Sequence, residues 1–187
     1  MQLKMYRPET LELPEIVVPE GFTIREMRPG EETCWSYCCM GEFGVDALGE
    51  EAYLSKMASD SCVEMKNVFY ACRNDEPVGT ATAKCSEEGH PYLHYIAVNE
   101  SARGHRLAYA LIATVLHRHA ENGRLGCFLT TDDFRVPAVK SYINMGYLPV
   151  LWTDDARERW EKMLRIYGMK SIRAYDAVMN PAPDIEA

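Results

Sequence analysis

The run Ile96-Ala97-Val98-Asn99-Glu100-Ser101-Ala102-Arg103-Gly104-His105-Arg106-Leu107-Ala108 joins an apolar, strand-like segment to an amphipathic helix through a short basic loop. A helix begun this way presents backbone N–H groups that have no intrahelical partner, together with the positive end of its dipole, and the two bind phosphate oxygens. Gly104 and Ala108 let backbone approach an anion closely, and Arg103, His105 and Arg106 make a small basic mouth. Many strand–helix turns carry Arg-Gly and bind nothing, so the pattern needs a second.

That mouth is an exception in an acidic chain, whose 187 residues hold 20 Lys+Arg against 28 Asp+Glu for a net charge of −8. Such a chain lacks the basic footprint that releases counterions from nucleic acid, and nucleic acid is not expected as a partner. A cationic small molecule suits the charge, although many acidic proteins bind none. The longest apolar stretch, Leu107–Leu116, is too short to span a bilayer. The first residues mix Lys4, Arg7 and Glu9 and lack the apolar core of a signal peptide. No membrane association is expected, and a cytoplasmic location is. The odd number of cysteines, 7, fits free thiols in a reducing compartment. Cys34-x-x-x-Cys38-Cys39 has no second Cys/His pair at a zinc-like spacing, and His117 and His119 are two apart on a helix. The cysteines therefore read as small buried hydrophobes, the histidines as surface residues, and no metal is expected.

The elements around the loop follow from periodicity. Residues 1–21, with Pro8, Pro14 and Pro19, read as an extended lead-in, and Phe22–Met27 as a strand. Helices are expected over Glu31–Met40 and Glu50–Ala58. Asn67–Arg73, Val78–Cys85 and Tyr92–Val98 then form an antiparallel meander through short turns. The rows Leu107/Leu111/Val115 and Ala108/Ile112/Leu116 predict a helix to Asn122, stopped by Gly123. Gly126–Thr131 reads as a buried strand. Pro137 at a helix start and Gly146 at its end frame the next helix, followed by a strand over Tyr147–Trp152 and a helix over Asp154–Tyr167. Nothing is assigned from Met169, and residues 180–187 read as a frayed tail. The expectation is one α+β domain over 1–187, a meander that turns into a β-α-β-α-β unit.

The loop resembles the signature of the GNAT superfamily of acyl-coenzyme A N-acyltransferases, Arg/Gln-x-x-Gly-x-Gly/Ala. Its positions here read Arg103, Gly104, His105, Arg106, Leu107 and Ala108. About 30 residues on, Pro137-Ala138-Val139-Lys140-Ser141-Tyr142-Ile143-Asn144-Met145-Gly146-Tyr147 is similar to the family's Ala-x-x-x-Tyr-x-x-x-Gly-Phe/Tyr segment. The resemblance is clear over about 67–152 and consistent over 22–58. Two departures stand out. Arg106 replaces the usual Gly, which an ordinary helical φ would permit. Arg135 stands where the family often has Asn, and either reaches the cofactor's phosphates or is simply solvated.

The resemblance implies a mixed, largely antiparallel sheet flanked by helices, whose fourth and fifth strands (Tyr92–Val98 and Gly126–Thr131) splay around acetyl-CoA as cosubstrate. The backbone of Ile96, Ala97 and Val98 would pair with the pantetheine amides, and the N–H groups of Arg103–Ala108 would hold the pyrophosphate. The implied reaction is direct attack of an amine on the thioester, with the Ala97 or Val98 N–H polarising its carbonyl. His94 shares a face with Tyr92 and Ile96 by strand alternation, similar to the arylalkylamine acyltransferases, where histidines on this strand pass protons through water. At a pKa of ~6.5 it would suit a base; a structural His is the plain alternative. Tyr142 is the implied general acid toward the departing thiolate, or else a core aromatic. The acceptor, a small-molecule or peptide amine, would meet Trp35, Glu42, Asp46 and Trp152. A homodimer is compatible with the family, and a coenzyme A-binding module without turnover is the alternative function.

Overall fold

The computed structural model describes residues 2–187. In chain order the elements are β1 (Leu3–Arg7), β2 (Phe22–Glu26), α1 (Glu32–Cys38), α2 (Glu51–Tyr53), β3 (Val68–Arg73), β4 (Glu76–Cys85) and β5 (Pro91–Val98). There follow α3 (Leu107–Glu121), β6 (Cys127–Thr131), α4 (Val136–Asn144), β7 (Leu148–Leu151), α5 (Ala156–Tyr167), β8 (Ser171–Asp176) and β9 (Pro181–Glu186). These are mostly antiparallel strands flanked by helices, the expected class. The chain packs as two compact units, residues 13–125 and residues 2–12 with 126–187.

In the 13–125 unit, β3, β4 and β5 form the expected antiparallel meander, which β2 extends by pairing antiparallel with β3. The β3–β4 turn uses Asn74 and Asp75, both at positive φ (52° and 66°), the pairing that matches the twist of two short-coupled strands. The meander buries one face under α3, whose Leu107, Leu111, Ile112, Val115 and Leu116 are sequestered as their spacing predicts. Gly79 permits that approach: a Cβ there would sit 3.2 Å from Ala97 O and 3.4 Å from Leu111 Cδ1. The other face packs against α1 and α2 through Trp35, Cys38, Cys39, Tyr53, Met57, Val68 and Tyr70. The second helix continues from Tyr53 as one wider turn over Leu54–Ala58, closed by Ser59 N–H donating to Leu54 O at 3.0 Å.

The other unit corrects two readings. The lead-in contains β1, whose residues alternate in burial and whose Leu3, Met5 and Arg7 face inward. It lies between β6 and β7 and is antiparallel to both. The three prolines concealed this strand because its period-two pattern ends where they begin. The tail is likewise ordered. Residues 181–186 form β9, antiparallel to β8, with Ile185 opposite Ile172 and fully buried. Pro181 and Pro183 fit because an edge strand can spare N–H donors. Arg7 is 3% exposed and uses Nε to cap α4, donating to Met145 O at 2.9 Å. No helix among the described residues is long and apolar enough to cross a membrane.

Candidate active site

β5 is not a regular strand. Its register to β4 runs Thr82↔His94 and then Thr80↔Ala97, so one extra residue is accommodated between them. Tyr95 absorbs the irregularity at φ 44°, a conformation that few non-glycine residues adopt. The bulge changes which side chains share a face. Thr80 and Thr82 lie on one side of β4, so their partners Ala97 and His94 do too, and Ala97 takes the place expected for Ile96. The Tyr95 ring packs edge-on against Trp35 (5.4 Å) and Phe43 (5.0 Å) and lies 4.1 Å from the His94 ring.

His94 is partly buried on this inner face, near the ion pair of Lys84 with Asp60. Burial, reinforced by the Lys84 ammonium and opposed by Asp60, lowers its pKa to about 4, against the ordinary value of ~6.5. His94 is therefore neutral at pH 7 and has a free lone pair, but it is a weaker base than its sequence context suggests. Trp35 Nε1, Thr80 Oγ1 and Thr82 Oγ1 are buried on the same side without a protein hydrogen-bond partner. Each such group costs about 1–3 kcal/mol.

After Val98 the chain makes a single turn over Glu100–Ala102, capped by Asn99 Oδ1 accepting from Ser101 N–H. Gly104 then adopts φ 85° and Arg106 φ 60°, and α3 begins at Leu107. Arg106 thus departs from the ordinary helical φ expected of it. It sits in the left-handed region, which explains why glycine would be natural there. A left-handed residue followed by a helical one turns successive N–H groups toward one point, a concavity that suits an anion. Tyr109 N–H already bonds Arg106 O (3.0 Å), and the donors before it open the helix. Nothing lies within 4 Å of a Cβ built on Gly104, so its role is conformational. The loop therefore has the shape to accept a pyrophosphate.

The loop's side chains are turned elsewhere more than expected. Arg103 donates from Nε to Val98 O and pairs with Glu42, both at 3.2 Å. His105 Nδ1 lies 3.1 Å from Arg103 O and 3.3 Å from Ala102 O, so this nitrogen carries the proton, and the ring packs tilted against Phe22 with centroids 5.1 Å apart. Arg106 is exposed. The basic mouth is thus largely a backbone cradle with one outward guanidinium.

In the other unit, Tyr142 is 6% exposed on α4, with its ring 6.1 Å from that of Tyr147. Arg135 immediately precedes α4 and pairs with Asp132 at 3.2 Å, so its charge is satisfied locally. Of the four acceptor candidates, Trp35 is fully buried in the core and cannot line a pocket. Glu42 is committed to Arg103, and Asp46 is exposed. Trp152 is 38% exposed and donates from Nε1 to Gln2 O. The cysteines are free, with Cys38, Cys39, Cys72 and Cys127 buried as expected but Cys34, Cys62 and Cys85 only half-buried, and His119 is buried rather than on the surface. Its Nε2 lies 3.1 Å from Tyr92 O. Sequence reasoning missed Thr80, Thr82, Lys84 and Asp60 entirely, since no motif contains them.

Comparison with known proteins bears on the whole arrangement. Residues 29–147 match the family described as "Acetyltransferase (GNAT) family". Two curated proteins called mycothiol acetyltransferase are similar. The one from Thermomonospora curvata is 28% identical over 153 residues, covering 78% of this chain and 50% of that protein. The one from Streptomyces bingchenggensis is 30% identical over 148 residues, covering 75% of this chain and 47% of that protein. The chain thus spans about half the length of the curated relatives it matches. A solved GCN5-related N-acetyltransferase from Sphaerobacter thermophilus superposes with a TM-score of 0.63 at 24% identity, covering 79% of this chain and 48% of that one. At that identity the likeness is one of fold.

Proposed function

Because the chain belongs to the acetyltransferase (GNAT) family, we propose that it moves the acetyl group of acetyl-CoA to a primary amine by direct attack on the thioester. The observation that carries this reading is the bulged β5 running into the left-handed Gly104/Arg106 loop at the start of α3. Backbone N–H groups of Gly104–Ala108 would hold the pyrophosphate, the Arg103 N–H expected among them being spent on Glu100 O at 3.2 Å, and Ile96–Val98 would pair with the pantetheine amides. The N–H of Ala97 or Val98 would polarise the thioester carbonyl. His94, neutral at pH 7, would relay the amine proton. Tyr142 would offer its hydroxyl to the departing thiolate, and Arg135 would have to leave Asp132 to add a cofactor contact.

The acceptor is a small-molecule or peptide amine, and the name of the two relatives puts mycothiol-related amines first in a screen. Calorimetric titration with acetyl-CoA, followed by thiol release across an amine library, tests the proposal. Binding with turnover of at least one amine is expected. Binding without thiol release would leave a coenzyme A-binding module, and no heat on titration would remove both readings. Tyr142→Phe is expected to lower turnover with acetyl-CoA affinity nearly intact, and a wild-type rate would take Tyr142 out of the acid role.

A further inference from the structure

The unpartnered hydroxyls of Thr80 and Thr82 are both fully buried, and they are neighbours on the same side of β4. Valine has the same shape and carries no such cost, so two adjacent threonines here call for a use. Their surroundings supply one. Thr82 is directly opposite His94, and Thr80 is directly opposite Ala97, with the Tyr95 bulge opening the ladder between the two pairs. Directly opposed residues of an antiparallel pair hold their Cβ atoms about 4.5–5.5 Å apart, which lets a single water bridge a hydroxyl to an imidazole nitrogen. Lys84, two residues beyond Thr82 on the same side, pairs with Asp60, and both side chains reach solvent at 20% and 27% exposure. The rest of this side is apolar or aromatic, lined by Val68, Tyr70, Trp35 and Met57. One polar track therefore crosses an otherwise apolar layer, from Ala97 to the surface.

Acyl transfer to an amine that arrives as an ammonium has a proton to dispose of. An ammonium and a thioester give an amide, a thiol and one free proton, with the N–C bond formed, the C–S bond broken and the sulfur protonated. We propose that Thr80 and Thr82 hold a buried water beside Ala97, and that with His94 and the Lys84–Asp60 pair they form the outlet through which the proton of the acceptor ammonium reaches solvent. This rests on the acyltransferase reading above. The threonines, Lys84 and Asp60 are positioning residues; His94 is the relay. A neutral imidazole flanked by Lys84 of β4, Asp60 of the turn after α2, and Tyr95 of its own strand passes the proton on rather than storing it. The bulk solution, at its own pH, is then the final acceptor.

Thr82→Val and Thr80→Val test the outlet in the full chain. Each is expected to leave the melting temperature unchanged or higher and the KM for acetyl-CoA unchanged. Each is expected to lower kcat at least about tenfold, short of the ~10²–10⁴ for complete loss of proton transfer. A buried hydroxyl with no role beyond packing would not move kcat. A second measurement is independent of turnover. The His94 ring, followed by NMR titration, is expected to gain protons at higher pH in Lys84→Met and only at lower pH in Asp60→Asn. Wild-type kcat in both threonine variants, or a ring titration indifferent to Lys84 and Asp60, would overturn the outlet while leaving the acyltransferase reading intact. A wild-type chain that turns over no amine would overturn that reading instead, and the outlet with it.

Discussion

The Arg103–Ala108 loop and the inner face of β5 are consecutive in the chain and are built by opposite means. The loop is exposed and defined by backbone: Gly104 and Arg106 are left-handed, and Arg103 and His105 point at neighbouring carbonyls or at Glu42. The face is enclosed and defined by side chains: His94, Thr80 and Thr82 lie among apolar residues, and burial moves the imidazole pKa. A diphosphate offers many equivalent oxygens to any concave set of N–H groups, so shape suffices to bind it. A single proton has to be handed between particular atoms, so there identity matters. Substitutions should therefore act through conformation in the loop and through titration on the face.

The largest effect is expected on the face. The unfolded chain takes up the His94 proton near pH ~6.5, but the folded chain does so only near 4. Between those values the unfolded state binds more protons, so folding stability falls as pH drops through the window. Integrated over it, the loss is at most about 3 kcal/mol. His94→Gln is expected to flatten this part of the stability curve, as followed by urea unfolding at pH 7, 5.5 and 4. The acid limb of the pH–rate profile is also expected near pH 4 and not near neutrality. An undiminished slope in the variant would mean that His94 is not the buried titrating group and that the contrast with the loop is overdrawn.

The next effect belongs to the loop. Gly104→Ala places a Cβ in open space but at φ 85°, which costs about 1–2 kcal/mol. If the free loop of this variant relaxes out of this conformation and binding must restore it, acetyl-CoA affinity should fall about tenfold, with any residual loss of stability the same at pH 4 and pH 7. Arg106→Gly is the converse. It relieves a left-handed non-glycine residue and should raise stability by about 0.5–1 kcal/mol, roughly 1–4 °C in Tm. Its loss in acetyl-CoA affinity should shrink as salt is added.

The same contrast explains what the sequence made legible. The α3 rows, the glycine stops at Gly123 and Gly146, and the loop itself are local patterns, and their φ values of 72° and 87° are those a helix end asks of glycine. The bulge was not legible, because Tyr95 gives no local sign of a positive φ where Gly or Asn would have. Neither was the left-handed Arg106, for the same reason. β1 is held by partners more than 100 residues away and β9 by β8 on one side alone, and prolines near or within them argued against a strand. The polar track of Thr80, Thr82, Lys84 and Asp60 is assembled from strand register and a distant turn, which no spacing in a single segment encodes.

The smallest expected effect is the most direct check on the loop. Arg103 lies at the mouth of the cradle and would ordinarily be the first residue credited with holding a phosphate. Its guanidinium instead pairs with Glu42 at 3.2 Å, with side-chain exposures of 53% and 28%, and an exposed pair of this kind contributes only about 0–1 kcal/mol. Removing Arg103 alone would leave the Glu42 carboxylate facing an anionic ligand, and so would exaggerate the importance of Arg103. Arg103→Gln combined with Glu42→Gln removes a neutral pair and leaves the left-handed backbone in place. Acetyl-CoA affinity in the double variant is expected to stay within about threefold of wild type, less than 1 kcal/mol. A tenfold loss would mean that Arg103 leaves Glu42 for a phosphate on binding, and that the loop depends on side-chain identity as the face does.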